Sequence, residues 1–140
     1  MNNRTEKADN CKKNKSQIIA TLLLFIFMLS MSSAVYASSY TTYVKFKHPY
    51  SGVTRSFDGN NIKYSATMKS SKSNDTGKYT VTLQRKSGLW ALDVGHKTLN
   101  RVGAGTAKWS NVGPGNYRLH FDKTNDGYTL SSNNVVIKNY

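Results

Sequence analysis

The chain has 140 residues, with 20 Lys and Arg against 7 Asp and Glu, a net charge of +13, and one cysteine. A single cysteine excludes a disulfide scaffold and a Cys-x-x-Cys metal or redox motif. The charge excess points to anionic partners.

Residues 1–17 carry Arg4, Lys7, Lys12, Lys13 and Lys15, and an apolar run over residues 18–37 ends in the small residues Ala34, Val35 and Ala37. A basic start, an apolar middle and a small-residue exit describe a secretory signal peptide. Residues 1–37 are therefore read as a leader cleaved after Ala37, and residues 38–140 as one exported domain. An uncleaved membrane anchor is the alternative, because the run is nearly long enough to span a bilayer. Cys11 leaves with the leader, and an exported domain without disulfides fits a Gram-positive bacterium. Five basic and two acidic residues leave too, so 15 basic and 5 acidic remain, a net charge of about +10. All five acids are aspartates: Asp58, Asp75, Asp93, Asp122 and Asp126.

Along the exported part, hydrophobicity alternates with a period of two. In residues 38–47, Val44 and Phe46 oppose Tyr43, Lys45 and Lys47, a strand stopped by His48-Pro49. Residues 50–61 form a connection with a short strand near residues 53–57. In residues 62–69, Ile62, Tyr64, Ala66 and Met68 share one face, and Lys63, Ser65, Thr67 and Lys69 the other. The polar turn 70–77 leads to a partner strand, 78–85, with Tyr79, Val81 and Leu83 inward. After the turn at Lys86-Ser87-Gly88, Trp90, Leu92 and Val94 share a face over residues 89–95. Residues 96–106 read as a loop broken by Gly103 and Gly105, and 107–109 as a short strand. A Gly-Pro-Gly turn introduces a strand with Tyr117, Leu119 and Phe121 on its apolar face, followed by an Asn-Asp-Gly turn and a last strand over 134–138. About seven short strands without a helical period predict an all-β fold. The expected form is a single immunoglobulin-like or related antiparallel β-sandwich.

The segment around Pro114-Gly115, Tyr117, Leu119 and Asp126-Gly127-Tyr128 resembles the closing hairpin of collagen-adhesin B-type domains of Gram-positive surface proteins. That resemblance implies an immunoglobulin-like sandwich at the cell surface. Many such domains form a Lys–Asn isopeptide bond assisted by an acid two residues beyond the leucine. Phe121 stands there, so no such bond is expected. Lys63-Tyr64-Ser65-Ala66-Thr67 and Gly88-Leu89-Trp90-Ala91, with Val94-Gly95 after them, resemble segments of lactococcin 972-type bacteriocins, which implies antibacterial activity.

Chemistry is sparse. His48 precedes a proline, His96 lies in a turn and His120 faces out of a strand, and no G-x-S-x-G elbow occurs. Asp122 and Asp126 flank a turn that lacks EF-hand spacing and its closing glutamate. The expectation is a non-enzymatic protein with no catalytic residue, no metal and no cofactor. Trp90, Tyr64, Tyr79 and Tyr117 lie on predicted core faces, whereas Tyr43 shares a face with lysines and Trp109 adjoins a turn. Tyr43, Lys45, Lys47, Lys63 and Lys69 are the candidate ligand-binding residues, since aromatics beside cations can stack on sugars and settle at membrane interfaces. The expected partner is an anionic cell-wall polymer or an anionic membrane surface. Export makes nucleic acid an improbable main partner, and the oligomeric state is not legible. Two other readings compete: a bacteriocin-like antimicrobial or membrane-active protein, and an adhesin-like structural subunit.

Overall fold

The computed structural model describes residues 38–140, which form one compact unit. The signal peptide expected over residues 1–37 lies outside the described residues. Nine strands follow in order: β1 (Ser39–Phe46), β2 (Tyr50–Ser51), β3 (Arg55–Phe57), β4 (Ile62–Ser70), β5 (Lys78–Ser87), β6 (Trp90–Asn100), β7 (Gly103–Trp109), β8 (Gly115–Asp122) and β9 (Leu130–Asn139). They form two antiparallel sheets packed as a sandwich, and no helix occurs among the described residues. The first sheet has the order β1-β9-β4-β7; the second has β2-β8-β5-β6, with β3 also on β8.

Strand order, which periodicity leaves open, follows a nested rule. β5 pairs with β6 across the tight turn at Gly88, β4 with β7, β2 and β3 with β8, and β1 with β9. The chain is thus one long antiparallel ribbon folded over on itself, and the β4–β9 and β5–β8 pairings close the two sheets. With β2 and β3 counted as one interrupted strand, this is the order of a jelly roll within the two-sheet sandwich class. Among the described residues the nine strands pair with one another and enclose one buried apolar cluster.

Alternation places the core as expected. Ile62, Tyr64, Ala66 and Met68 of β4 are buried against Tyr79, Val81 and Leu83 of β5 and Tyr117, Leu119 and Phe121 of β8. The hydroxyls of Tyr64 and Tyr79 meet at 3.0 Å in this core and join the two sheets. Burial pushes both phenols above their ordinary value, Tyr64 the further.

Three expectations need correction. The segment 96–106 is not a loop: β6 runs to Asn100, a two-residue turn follows, and β7 begins at Gly103. Its glycines permit close approach. A Cβ on Gly105 would lie 3.3 Å from Leu99 Cδ1, and one on Gly95 would lie 3.4 Å from Trp109 Cδ1. Trp109, placed beside a turn, is instead buried, and its indole N–H donates to the Gly95 carbonyl at 3.0 Å. Trp90, placed in the core, is exposed together with Leu92 and Val94. The β5–β8 pairing ends at Arg85 and Tyr117, while β5–β6 pairing continues to Ser87 and Trp90. The end of the hairpin therefore projects past its neighbouring strand.

Candidate functional site

The outer face of the first sheet is built by the residues that alternate with the core. Lys63, between buried Ile62 and Tyr64, points outward; Lys108 does so between Ala107 and Trp109, and Lys138 between Ile137 and Asn139. Register sets the three in one row: Lys63 faces Lys138 on β9 and Lys108 on β7. Directly opposed residues on neighbouring antiparallel strands have side chains about 5 Å apart at the base, and like charges there repel. The ammonium of Lys108 also lies 5.2 Å from the centre of the Tyr140 ring, within cation–π range.

A second basic row lies toward the other end of the face. Lys45 on β1 and Lys69 on β4 both face Ser131 on β9. Lys69 lies six positions after Lys63 on β4, which at strand rise is about 20 Å. The floor between the rows is a shallow depression of about 150 Å³ of mixed character, in which the hydroxyls of Ser65, Thr67 and Thr106 alternate with Ala66, Ala104 and Val136, among others. Ser65 Oγ and Thr106 Oγ1 are 3.3 Å apart within it. None of the five aspartates lies on this face: Asp93 and Asp122 belong to the second sheet, and Asp58, Asp75 and Asp126 to loops.

Of the residues singled out from sequence, the fold brings Lys45, Lys63 and Lys69 onto one face. Lys47 lies one residue beyond β1 and is exposed. Tyr43 falls at the irregularity between Thr42 and Val44, has no cross-strand partner on β9, and is 74 % exposed. It borders a crevice of about 50 Å³ between the sheets, lined by Tyr40, Tyr50, Val53 and Arg55, among others. Small-molecule sites commonly measure roughly 300–1,000 Å³, so this crevice is too small for a sugar or nucleotide. Lys108 and Lys138 went unselected. Alternation marks both as outward, but only register reveals that they flank Lys63.

The second sheet's outer face is occupied with its own contacts. Arg118 Nε donates to Gln84 Oε1 at 2.8 Å, and Gln84 Nε2 donates to Asp93 Oδ1 at 2.8 Å. His120 Nδ1 lies 2.9 Å from Ser51 Oγ. Among the described residues no carboxylate is hydrogen-bonded to the other ring nitrogen, so this pair lacks the third member that orients a catalytic imidazole.

One end of the sandwich holds an ion cluster in which Asp75, Arg101 and Lys123 are buried and Asp126 is exposed. Arg101, in the β6–β7 turn, donates Nε–H to the Lys78 carbonyl at 3.0 Å and pairs with Asp126, and its Nη1 lies 3.6 Å from Asp75. Lys123, also buried, contacts Asp126 at 2.7 Å. Asp75 accepts from Ser70 Oγ at 2.5 Å and from the Gly77 amide at 2.8 Å. Those two bonds, the first the stronger, together with Arg101 hold its carboxyl below the usual range. Lys123 and then Arg101 do the same for Asp126. The turn flanked by Asp122 and Asp126 thus holds a carboxylate occupied by two cations. No group of three or more His, Cys, Asp or Glu able to hold a metal occurs among the described residues. No protein-family model matches the chain, and no curated protein matches it.

Proposed function

We propose that the protein is an exported, non-enzymatic module that binds an anionic polymer of the cell envelope through the outer face of its first sheet. The observation that carries this reading is the row of Lys138, Lys63 and Lys108 on a face that holds none of the described aspartates. Three directly opposed lysines cost stability, and a polyanion laid across them offsets that repulsion. An open face with basic rows about 20 Å apart suits an extended chain better than a small molecule, and the hydroxyl-lined floor suits a sugar- or polyol-containing backbone. Teichoic acids combine both features.

The test is retention of residues 38–140 on Gram-positive cell walls with and without teichoic acid, over a salt series. Retention should need teichoic acid and fall as salt screens the lysines. The triple variant K63Q/K108Q/K138Q should bind weakly and respond less to salt. Undiminished retention of that variant would remove the lysine row from the function.

A further inference from the structure

We propose that the tip of the β5–β6 hairpin is an anchor that inserts Leu89 and Trp90 into the interface of an anionic lipid bilayer. Leu89 is 96 % exposed, Trp90 78 % and Leu92 62 %. Among the described residues, 86–91 have no strand neighbour beyond each other, because the pairing of β8 with β5 ends at Tyr117. Gly88, at φ 57°, closes the turn in a conformation that disfavours side chains, and leaves Leu89 at the apex. The result is a protruding two-stranded ribbon with its largest apolar side chains at the end.

Shape and charge select the occupant. The tip is convex and presents on the order of 400 Å² of apolar side chain. A stable protein–protein contact needs about 800 Å² on each partner, whereas a fluid interface accepts a few side chains on a projecting loop. Trp and Leu favour that region, the ring lying among headgroups. The cations stand behind them: the Lys86 ammonium donates to the Leu89 carbonyl at 3.3 Å, and Arg85 is fixed by a 2.9 Å bond to the Pro114 carbonyl. The row of Lys63, Lys108 and Lys138 lies at the same end of the sandwich, where β4 begins and β7 and β9 finish. An apolar apex backed by cations matches an anionic bilayer.

The site is separate from the lysine face, so the two proposals can fail independently. The probes are vesicles of phosphatidylcholine alone and of phosphatidylcholine with phosphatidylglycerol, mixed with residues 38–140. Trp90 is the exposed one of only two tryptophans and serves as the reporter. The expected result is binding to the anionic vesicles, a blue shift of tryptophan emission, and quenching by lipids brominated near the headgroup. L89S/W90S should lower vesicle partitioning by about tenfold or more while keeping its melting temperature and its retention on cell walls. Four results would overturn the proposal: no vesicle binding, binding without an emission shift, equal binding by L89S/W90S, or a concentration-dependent dimer abolished by that variant. The last would assign the tip to a second copy of the chain.

Discussion

Replacing Lys63 by Gln should make the domain more stable and a worse binder of polyanions. Lys63 lies between Lys138 and Lys108 with its neighbours Ile62 and Tyr64 locked in the core, so its backbone cannot swing the charge away. Ammonium groups about 7 Å apart, as long side chains splay from opposed positions, repel by about 0.6 kcal/mol at the dielectric constant of water. A Debye length of about 8 Å roughly halves that at physiological salt. With a neighbour on each side, the variant gains about 0.5 kcal/mol. For a domain of this size that raises the melting temperature by about 2–4 °C. Thermal melts of wild type and K63Q in low salt and in about 1 M salt measure it, since the Debye length falls to about 3 Å in the latter and the gain should vanish. Lys78 faces the neutral Asn100 across its strand pair and provides the control, for which no gain is expected. A K63Q variant that is less stable at low salt, or equally stabilised in both, would refute the repulsion. Higher stability with weaker wall retention in one variant is the signature of a charge kept for binding.

The Tyr64–Tyr79 hydrogen bond predicts a non-additive pair: Y64F strands the buried Tyr79 hydroxyl and costs about 1–3 kcal/mol, Y79F costs less because the Tyr64 hydroxyl keeps Met68 Sδ at 3.8 Å, and Y64F/Y79F costs less than the sum, as a double-mutant cycle in urea measures. Asp75 has a depressed pKa, so its contribution is complete above the ordinary carboxylate value near 4 and is lost as pH falls through its lower native value. D75N should therefore be destabilised at pH 7, with the difference from wild type shrinking toward pH 2 in acid-unfolding curves. Arg101→Met leaves buried Asp75 and exposed Asp126 without their shared guanidinium and should lower the melting temperature at neutral pH. A melt within a degree of wild type would show that the cluster contributes nothing to stability.

What a sequence reveals here is set by the range over which the physics acts. Alternation is local, so the inward faces of β4, β5 and β8 were legible residue by residue, and an all-β sandwich followed. The glycines of β6 and β7 misled, because a break and a close approach use the same residue type; Gly95 and Gly105 make room for Trp109 and Leu99. Trp90 misled for another reason: its alternation is regular, but burial also requires a neighbour, and β8 stops short of it. The lysine row was half legible. Outward direction is local, whereas the meeting of Lys63, Lys108 and Lys138 depends on two registers between residues tens of positions apart. The Arg101 cluster was hidden altogether, since three loops from different parts of the chain converge to form it.

Both ends of the sandwich carry more cations than acids, and they differ in what accompanies that charge. Asp75, Asp122 and Asp126 lie at the end where β4, β6 and β8 finish; Arg101 and Lys123 are neutralised there within the fold, and Lys45, Lys69, Lys72 and Lys78 stand at the same end. At the opposite end stand Lys63, Lys108 and Lys138 on the first sheet and Arg85, Lys86 and Arg118 on the second, against Asp58 and Asp93. Asp93 is itself engaged by Gln84. Both ends therefore attract an anionic surface, and only the Leu89–Trp90 end adds exposed apolar side chains to that attraction. Charge and apolar tip then act in sequence, the first drawing the molecule in and the second holding it by that end. Adding acid to the tip end should therefore slow association with anionic vesicles while leaving dissociation almost unchanged. The substitution K86E tests this by stopped-flow mixing, and an effect confined to the dissociation rate would argue against electrostatic attraction at the tip.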